Sequence, residues 1–234
     1  MLDVTDLNQY YGESHILRDV QLAIAEGSCT CLMGRNGVGK TTLLKSIMGL
    51  LRLRSGKIRF AGGALEGRGP EYRARLGIGY VPQGREIFSD LDVQENLSVG
   101  VEAASRPREA SLERVYSVFP SLQKMLGRRG GDLSGGQQQQ VAIGRALALS
   151  PSLMILDEPT EGIQPNVVHD IGDVLIKLNK EEKLTLLVVE QKLAFARRIG
   201  THFCIMDRGR AVATGPMNEL TDQLVHRYLA EASR

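Results

Sequence analysis

Gly34-Arg35-Asn36-Gly37-Val38-Gly39-Lys40-Thr41-Thr42 decides the fold, because it stands between an apolar run at 28–33 and an apolar-periodic segment at 40–51. Strand, glycine-rich loop and helix in that order are the context in which this pattern binds phosphate. The glycines let successive backbone N–H groups curl around a β-phosphate, and the following helix points the positive end of its dipole at the same anion. Lys40 offers a mobile cation to the β- and γ-phosphates, and the Thr41 hydroxyl suits a magnesium ion. Leu43, Leu44, Ile47, Met48 and Leu51 recur at the spacing of a buried helix face, which predicts a helix over 40–51.

Downstream, the apolar strand predicted at 153–156 runs into Asp157 and Glu158. Ligands of open α/β sheets bind at the carboxyl ends of strands, so Asp157 is expected to hold magnesium. Glu158 would then act on the water that attacks a γ-phosphate, as general base or positioner. Beyond it the pattern alternates helix (165–179), strand (184–189), helix (193–199) and strand (203–206), and its fully apolar strands argue a mostly parallel sheet covered on both faces. Short strands are predicted at 2–10, 16–25 and 57–61. Between Gln83 and Leu133 the character changes, with helices expected near 93–99 and 112–119 and a flexible, basic run at 127–131.

A chain of 234 residues holds one α/β core with a modest insertion and has no room for two average domains. Hydrophobic residues make up 42% and charged residues 24%, and no apolar run reaches the roughly 18 to 20 residues of a membrane span. The first fifteen residues carry no signal-like basic and apolar regions, so a cytosolic chain is expected. Cys29, Cys31 and Cys204 are assigned to core packing. The formal net charge of +2 demands neither nucleic acid nor an anionic surface. Arg52, Arg54, Lys57, Arg59, Arg68, Arg73 and Arg75 are read as a solvated face.

Leu133-Ser134-Gly135-Gly136-Gln137 lies between the phosphate loop and the acidic strand. Its glycines permit close backbone approach to phosphate, Ser134 offers a hydroxyl, and a second helix start would face an anion. With this segment the chain resembles the ATP-binding cassette (ABC) ATPases over essentially its whole length. The resemblance implies an α/β fold: a P-loop NTPase core with a mostly parallel sheet, an antiparallel β subdomain and a small inserted α-helical subdomain at 84–135, all within a single domain at 1–234. It implies ATP and Mg²⁺ as ligands and a head-to-tail dimer, in which Ser134, Gly135, Gly136 and Gln137 complete the partner's site. Tyr11 matches the aromatic that stacks on adenine. Gln83 matches the glutamine that reaches the magnesium and water region and joins the core to the helical subdomain.

Two positions depart from the common ABC pattern. Gln164 stands where an aspartate is usual, and Gln191, in Val188-Val189-Glu190-Gln191, stands where a histidine is usual, so a neutral amide would contact the γ-phosphate. The histidines His15, His169, His202 and His226 are read as structural or solvated. The glutamine at 191 resembles ATPases of branched-chain amino acid importers and their relatives; within that group DLSGGQQQQ and DEPTEGIQP resemble the ATP-binding subunit of urea importers, so urea or a related amide is the expected cargo and branched-chain amino acids are the alternative. Two permeases, a second ATPase subunit and, indirectly, a substrate-binding protein are the implied partners, at the cytoplasmic face of an inner membrane. ABC proteins acting on DNA or the ribosome fit less well, because only about ninety residues separate Thr41 from Leu133 and one cassette is present. Phe88 and Leu91 are expected to line the groove that receives a permease helix.

Overall fold

The computed structural model describes residues 1–104 and 106–229. β1 (Leu2–Tyr11) and β2 (Ser14–Ile24) form an antiparallel hairpin, and β3 (Cys29–Met33) follows with all five residues buried. The phosphate loop then leads into α1 (Lys40–Ile47), β4 (Ser55–Phe60), β5 (Gly63–Ala64), α2 (Pro70–Arg75) and β6 (Ile78–Val81). Next come α3 (Val93–Val101), α4 (Arg108–Val118), α5 (Pro120–Gln123) and α6 (Gly135–Ala148). The chain closes with β7 (Leu153–Asp157), α7 (Pro165–Lys180), β8 (Thr185–Val189), α8 (Leu193–Ile199), β9 (His202–Asp207), β10 (Arg210–Pro216) and α9 (Asp222–Tyr228).

The strands form an antiparallel sheet in the order β2-β1-β4-β5 and a six-stranded sheet in the order β10-β9-β3-β8-β7-β6. Within the second sheet only β10 runs antiparallel. Successive side chains on a strand face opposite ways, so a strand covered on both faces must be apolar throughout. Leu32, Ile155 and Leu187 pack with α1 and the antiparallel sheet, while Cys31, Met154, Leu156 and Val188 pack with residues of α3, α6 and α7. The mixed α/β architecture matches the expected fold class. The cysteines are buried and free, as expected of core residues.

Three expectations need correction. The helix predicted over 40–51 stops at Ile47, because Gly49 takes a φ of 73° and leaves the helical region. Leu51 is therefore not on the helix face, and Leu50 beside it is 50% exposed. Arg73 does not belong to a solvated face: it is 2% exposed and its guanidinium donates to the carbonyls of Ser46, Ile47, Leu65 and Arg68 at 2.6 to 2.9 Å. Two of those acceptors, Ser46 and Ile47, lie in the last turn of α1, where carbonyls lack the regular intrahelical donor, although Ser46 O also accepts the Gly49 N–H at 3.1 Å. A Cβ on Gly49 would sit 2.7 Å from Arg73 Nε, so the same glycine ends the helix and admits its cap. Finally, residues 127–131 are pinned. Gly130 N–H donates to Leu91 O, Gly131 N–H donates to Ser89 O, and Arg129 bridges Asp92.

The sequence reading also missed α2, α9 and β10. β10 alternates half-buried and exposed residues and ends on Gly-Pro, which leaves it without the continuous apolar run of its neighbours.

Arg73→Ala should lower unfolding free energy by about 3 kcal/mol, because each hydrogen bond to a charged group contributes about 1.5 to 3 kcal/mol and several buried carbonyls lose their donor. Urea unfolding followed by circular dichroism measures this. Arg73→Lys, a point charge lacking the planar fork, should recover less than half of the loss.

Candidate active site

Three adjacent parallel strands, β3, β8 and β7, end level with one another: Leu32 pairs with Val189, and Val189 pairs with Asp157. Whatever follows each strand must meet at the same edge. The phosphate loop leaves β3, Glu190 and Gln191 leave β8, and β7 ends in Asp157 followed by Glu158. The phosphate loop, Glu158, Glu190 and Gln191 border a cleft of about 790 Å³, whereas the buried Asp157 does not itself line it.

The phosphate loop depends on glycine at two places. Gly34 has a φ of 153° and a Cβ there would meet Met206 O at 2.5 Å, while Gly39 has a φ of 105° and a Cβ there would meet Leu17 Cδ2 at 2.8 Å. Gly39 precedes the first turn of α1 with no side-chain cap, which leaves that turn's N–H groups directed at the cleft. Lys40 is 5% exposed, and its ammonium donates to Gly34 O at 2.7 Å and Arg35 O at 2.9 Å. Burial lowers its pKa, opposed by Glu158 and Asp157. Asn36, Gly37, Thr41 and Thr42 also line the cleft, whereas Val38 packs against the core through its half-buried side chain.

Asp157 is 1% exposed, and neither carboxylate oxygen has a hydrogen-bond partner among the described residues. Burial raises its pKa; the neighbouring Thr41 hydroxyl opposes that rise without meeting full hydrogen-bond geometry, and Glu158 adds to it. Two orphaned, buried oxygens beside a threonine hydroxyl fit a hard divalent cation. Among the described residues there is no cluster of three or more acidic, His or Cys ligands. Such a donor set suits magnesium, which is commonly held by one or two carboxylates together with substrate phosphates and water.

Glu158 begins the turn after β7 with a φ of 50°, a left-handed conformation that costs a non-glycine residue roughly 1 kcal/mol or more. That turn aims its carboxylate into the cleft. Gln191 Nε2 donates to Glu158 Oε1 at 2.5 Å and to Asn36 Oδ1 at 2.7 Å, which joins the ends of three strands through one amide. Gln83 also lines the cleft, with Nε2 donating to Glu161 Oε2 at 3.0 Å. Tyr11 stands at the rim, 49% exposed.

Ser134, Gly135, Gly136 and Gln137 are not among the residues lining this cleft. They start α6, where a capping box closes the helix end: Gln137 N–H donates to Ser134 Oγ and Ser134 N–H to Gln137 Oε1. Gly136 is needed locally as well, since a Cβ would lie 2.9 Å from Val167. Gln164 precedes α7 and makes no side-chain cap.

Sequence reasoning missed Glu190, Thr160 and Arg85. Glu190 is 2% exposed, a second acid at a buried strand end, and that position was the available signal. Arg85 carries no such signal. Its guanidinium bridges Gln138 on α6 to the carbonyls of Glu161 and Gly162, a contact set only by the fold.

The ABC transporter family model matches residues 17–161. A probable branched-chain amino acid transport ATP-binding protein, LivF of Archaeoglobus fulgidus, is 37% identical over 95% of this chain and 94% of its own length. The high-affinity branched-chain amino acid transport ATP-binding protein BraG of Pseudomonas aeruginosa is 36% identical over 91% of each chain. Among solved structures, a dimeric ATP-binding cassette in a post-hydrolysis state bound to ADP and Pi superposes with a TM-score of 0.81 at 26% identity, covering 93% of this chain and 99% of that one.

Because the folded pKa of Asp157 lies above its unfolded value, its ionisation opposes folding once pH exceeds the ordinary carboxylate range. Asp157→Asn should therefore raise the Tm of the nucleotide-free protein at pH 7. The gain should vanish as pH falls below the unfolded pKa, where both states are protonated. Thermal scans from pH 4 to pH 8 test the sign, and the same variant should lose magnesium-dependent ATP affinity.

Proposed function

Since this chain belongs to the ABC transporter ATP-binding family, we propose that it is the ATP-hydrolysing subunit of an importer, in which the cleft at the ends of β3, β7 and β8 is the hydrolytic site. The observation that carries this reading is the placement of Glu158, strained into the cleft, with Gln191 bonded to its carboxylate and Lys40 on the facing wall.

In this reading Tyr11 stacks on adenine. Gly34, Arg35, Asn36, Gly37, Val38, Gly39 and Thr42 shape the backbone cradle, and Lys40 neutralises β- and γ-phosphate charge. Asp157, Thr41 and Gln83 would hold a magnesium ion, which when bound supplies positive charge against the phosphate oxygens. Glu158 takes a proton from, or orients, the attacking water. Gln191 sets the direction of that carboxylate and would donate to a γ-phosphate oxygen by exchanging its bond to Asn36; it cannot titrate.

Ser134, Gly135, Gly136 and Gln137 act on the nucleotide of a second subunit in a head-to-tail dimer. Their separation from the chain's own cleft supports this, as does the dimeric cassette among the similar structures. Residues 84–135 serve as the inserted helical subdomain of one ATPase domain, and Phe88, 46% exposed, with half-buried Leu91 faces a permease. No helix among the described residues is long and apolar enough to cross a membrane, in keeping with peripheral docking on the cytoplasmic side.

Branched-chain amino acids are the proposed cargo of the assembled importer, supported by the two relatives at 37% and 36% identity. A urea importer is the second reading, favoured by the segments DLSGGQQQQ and DEPTEGIQP. Neither cargo would touch this chain.

Glu158→Gln should lower ATP turnover by about 100-fold or more, the scale of a lost general base, while ATP affinity stays near that of the parent. Turnover within a few-fold of the parent would remove Glu158 from the mechanism. For cargo, the subunit reconstituted in vesicles with its permeases and binding protein should hydrolyse ATP faster when that protein carries leucine. Stimulation by urea alone would reverse the order of the two readings.

A further inference from the structure

Glu190 is a buried carboxylate at the active cleft to which nothing above gives a task. It is 2% exposed and forms no ion pair among the described residues. Three donors hold its two oxygens. Oε1 accepts the backbone N–H groups of Gln191 at 2.8 Å and Lys192 at 2.9 Å, and Oε2 accepts the Thr160 hydroxyl at 2.8 Å. Thr160 lies two residues beyond Glu158, is 1% exposed, and accepts Lys192 Nζ on its carbonyl at 3.0 Å. The loop after β7 and the loop after β8 are thus stitched together by one buried acid and closed by one lysine.

The geometry points to Glu190 as a positioning residue: it fixes the backbone at Gln191 and the turn that carries Glu158, so that the Gln191 amide meets the Glu158 carboxylate. This rests on the reading of Glu158 as the group that acts on water. Glu190 is less suited to that task, because three donors from the two loops hold its oxygens and the residue is 2% exposed, which leaves one lone-pair site with little access to water. Burying a carboxylate is costly unless hydrogen bonds repay it, and all three bonds here come from the two loops whose relative position decides the Gln191 to Glu158 contact. Backbone bonds reach one residue past the Val189–Asp157 pair, from Glu158 N–H to Val189 O and from Glu190 N–H to Leu32 O, and beyond them the Glu190 carboxylate ties the two loops together.

Because the function is one of hydrogen bonds and position, an amide can perform it. In Glu190→Gln the carbonyl oxygen can still accept both backbone N–H groups, and the amide NH₂ can donate to Thr160. Glu190→Ala leaves those groups without a partner.

The test is steady-state ATP hydrolysis by the full chain, with Tm and the affinity for a fluorescent ATP analogue measured on each variant. Glu190→Ala should lower kcat about fivefold to tenfold, the effect of one or two lost hydrogen bonds, with KM within about twofold of the parent. Glu190→Gln should restore kcat to within about twofold. On a Gln191→Ala background, Glu190→Ala should add less than about a twofold loss, because the two act on one contact. A parental kcat in Glu190→Ala, a Glu190→Gln variant as slow as Glu190→Ala, or fully multiplicative losses would overturn the inference. Should Glu190→Ala fail to fold, Glu190→Asp replaces it, since the shorter side chain withdraws the oxygens from the Gln191 N–H, and the same three criteria apply. A Glu158→Gln variant as fast as the parent would defeat the underlying assignment and this inference with it; a slow Glu158→Gln beside a fast Glu190→Ala would defeat the inference alone.

Discussion

Two opposite charges are held almost out of water at one sheet edge without pairing to each other, and the surrounding fold has to make that tolerable. Lys40 and Asp157 are 5% and 1% exposed. Lys40 is partly satisfied by carbonyls of its own loop, whereas Asp157 has no partner for either oxygen among the described residues. Burying an unsatisfied polar group costs free energy on the scale of kcal/mol, and a charged one costs more. Such an arrangement persists only where neighbouring structure leaves the chain no alternative. Here that structure is a set of parallel strands buried on both faces, whose ends cannot shift without breaking the apolar packing on either side of the sheet.

Strain at Glu158 follows from the same edge. β7 must end where its neighbours end, and the turn beyond it has to face the cleft and then lead toward α7 on the other side. A left-handed residue makes that reversal at once. The conformation is retained because the Glu158 N–H still reaches Val189 O, and because Thr160, two residues on, is anchored to Glu190. Electrostatic cost and backbone strain thus fall on consecutive residues, supported by bonds from the adjacent strand end.

The segment around Ser134 illustrates a different division of labour. Its serine and glutamine close the end of α6 upon themselves, and its second glycine gives room to Val167, so local structure already accounts for three of the residue choices. These residues do not line the chain's own cleft.

The phosphate loop, the acids at the end of β7 and the apolar strands were legible in the residue order because each depends on local chemistry: glycines for backbone approach, a helix start for an anion, period-two burial for a covered sheet. Gln191 was legible as a position, but its bond to Glu158 was not, since it joins residues 33 apart in the chain. Arg73 was misread for a related reason. A charged residue among other arginines gives no sign of burial, and only the approach of α2 to the end of α1 adds the Ser46 and Ile47 carbonyls to the nearby Leu65 and Arg68 carbonyls that hold it. Glu190 and Arg85 belong with it. By itself the sequence determined which groups stand at the strand ends and helix starts and on which kinds of element they ride, because those choices follow from backbone geometry within a few residues. Tertiary structure alone decided how the strand ends are tied to one another, because hydrogen bonds between distant loops depend on register and direction, which no local pattern encodes.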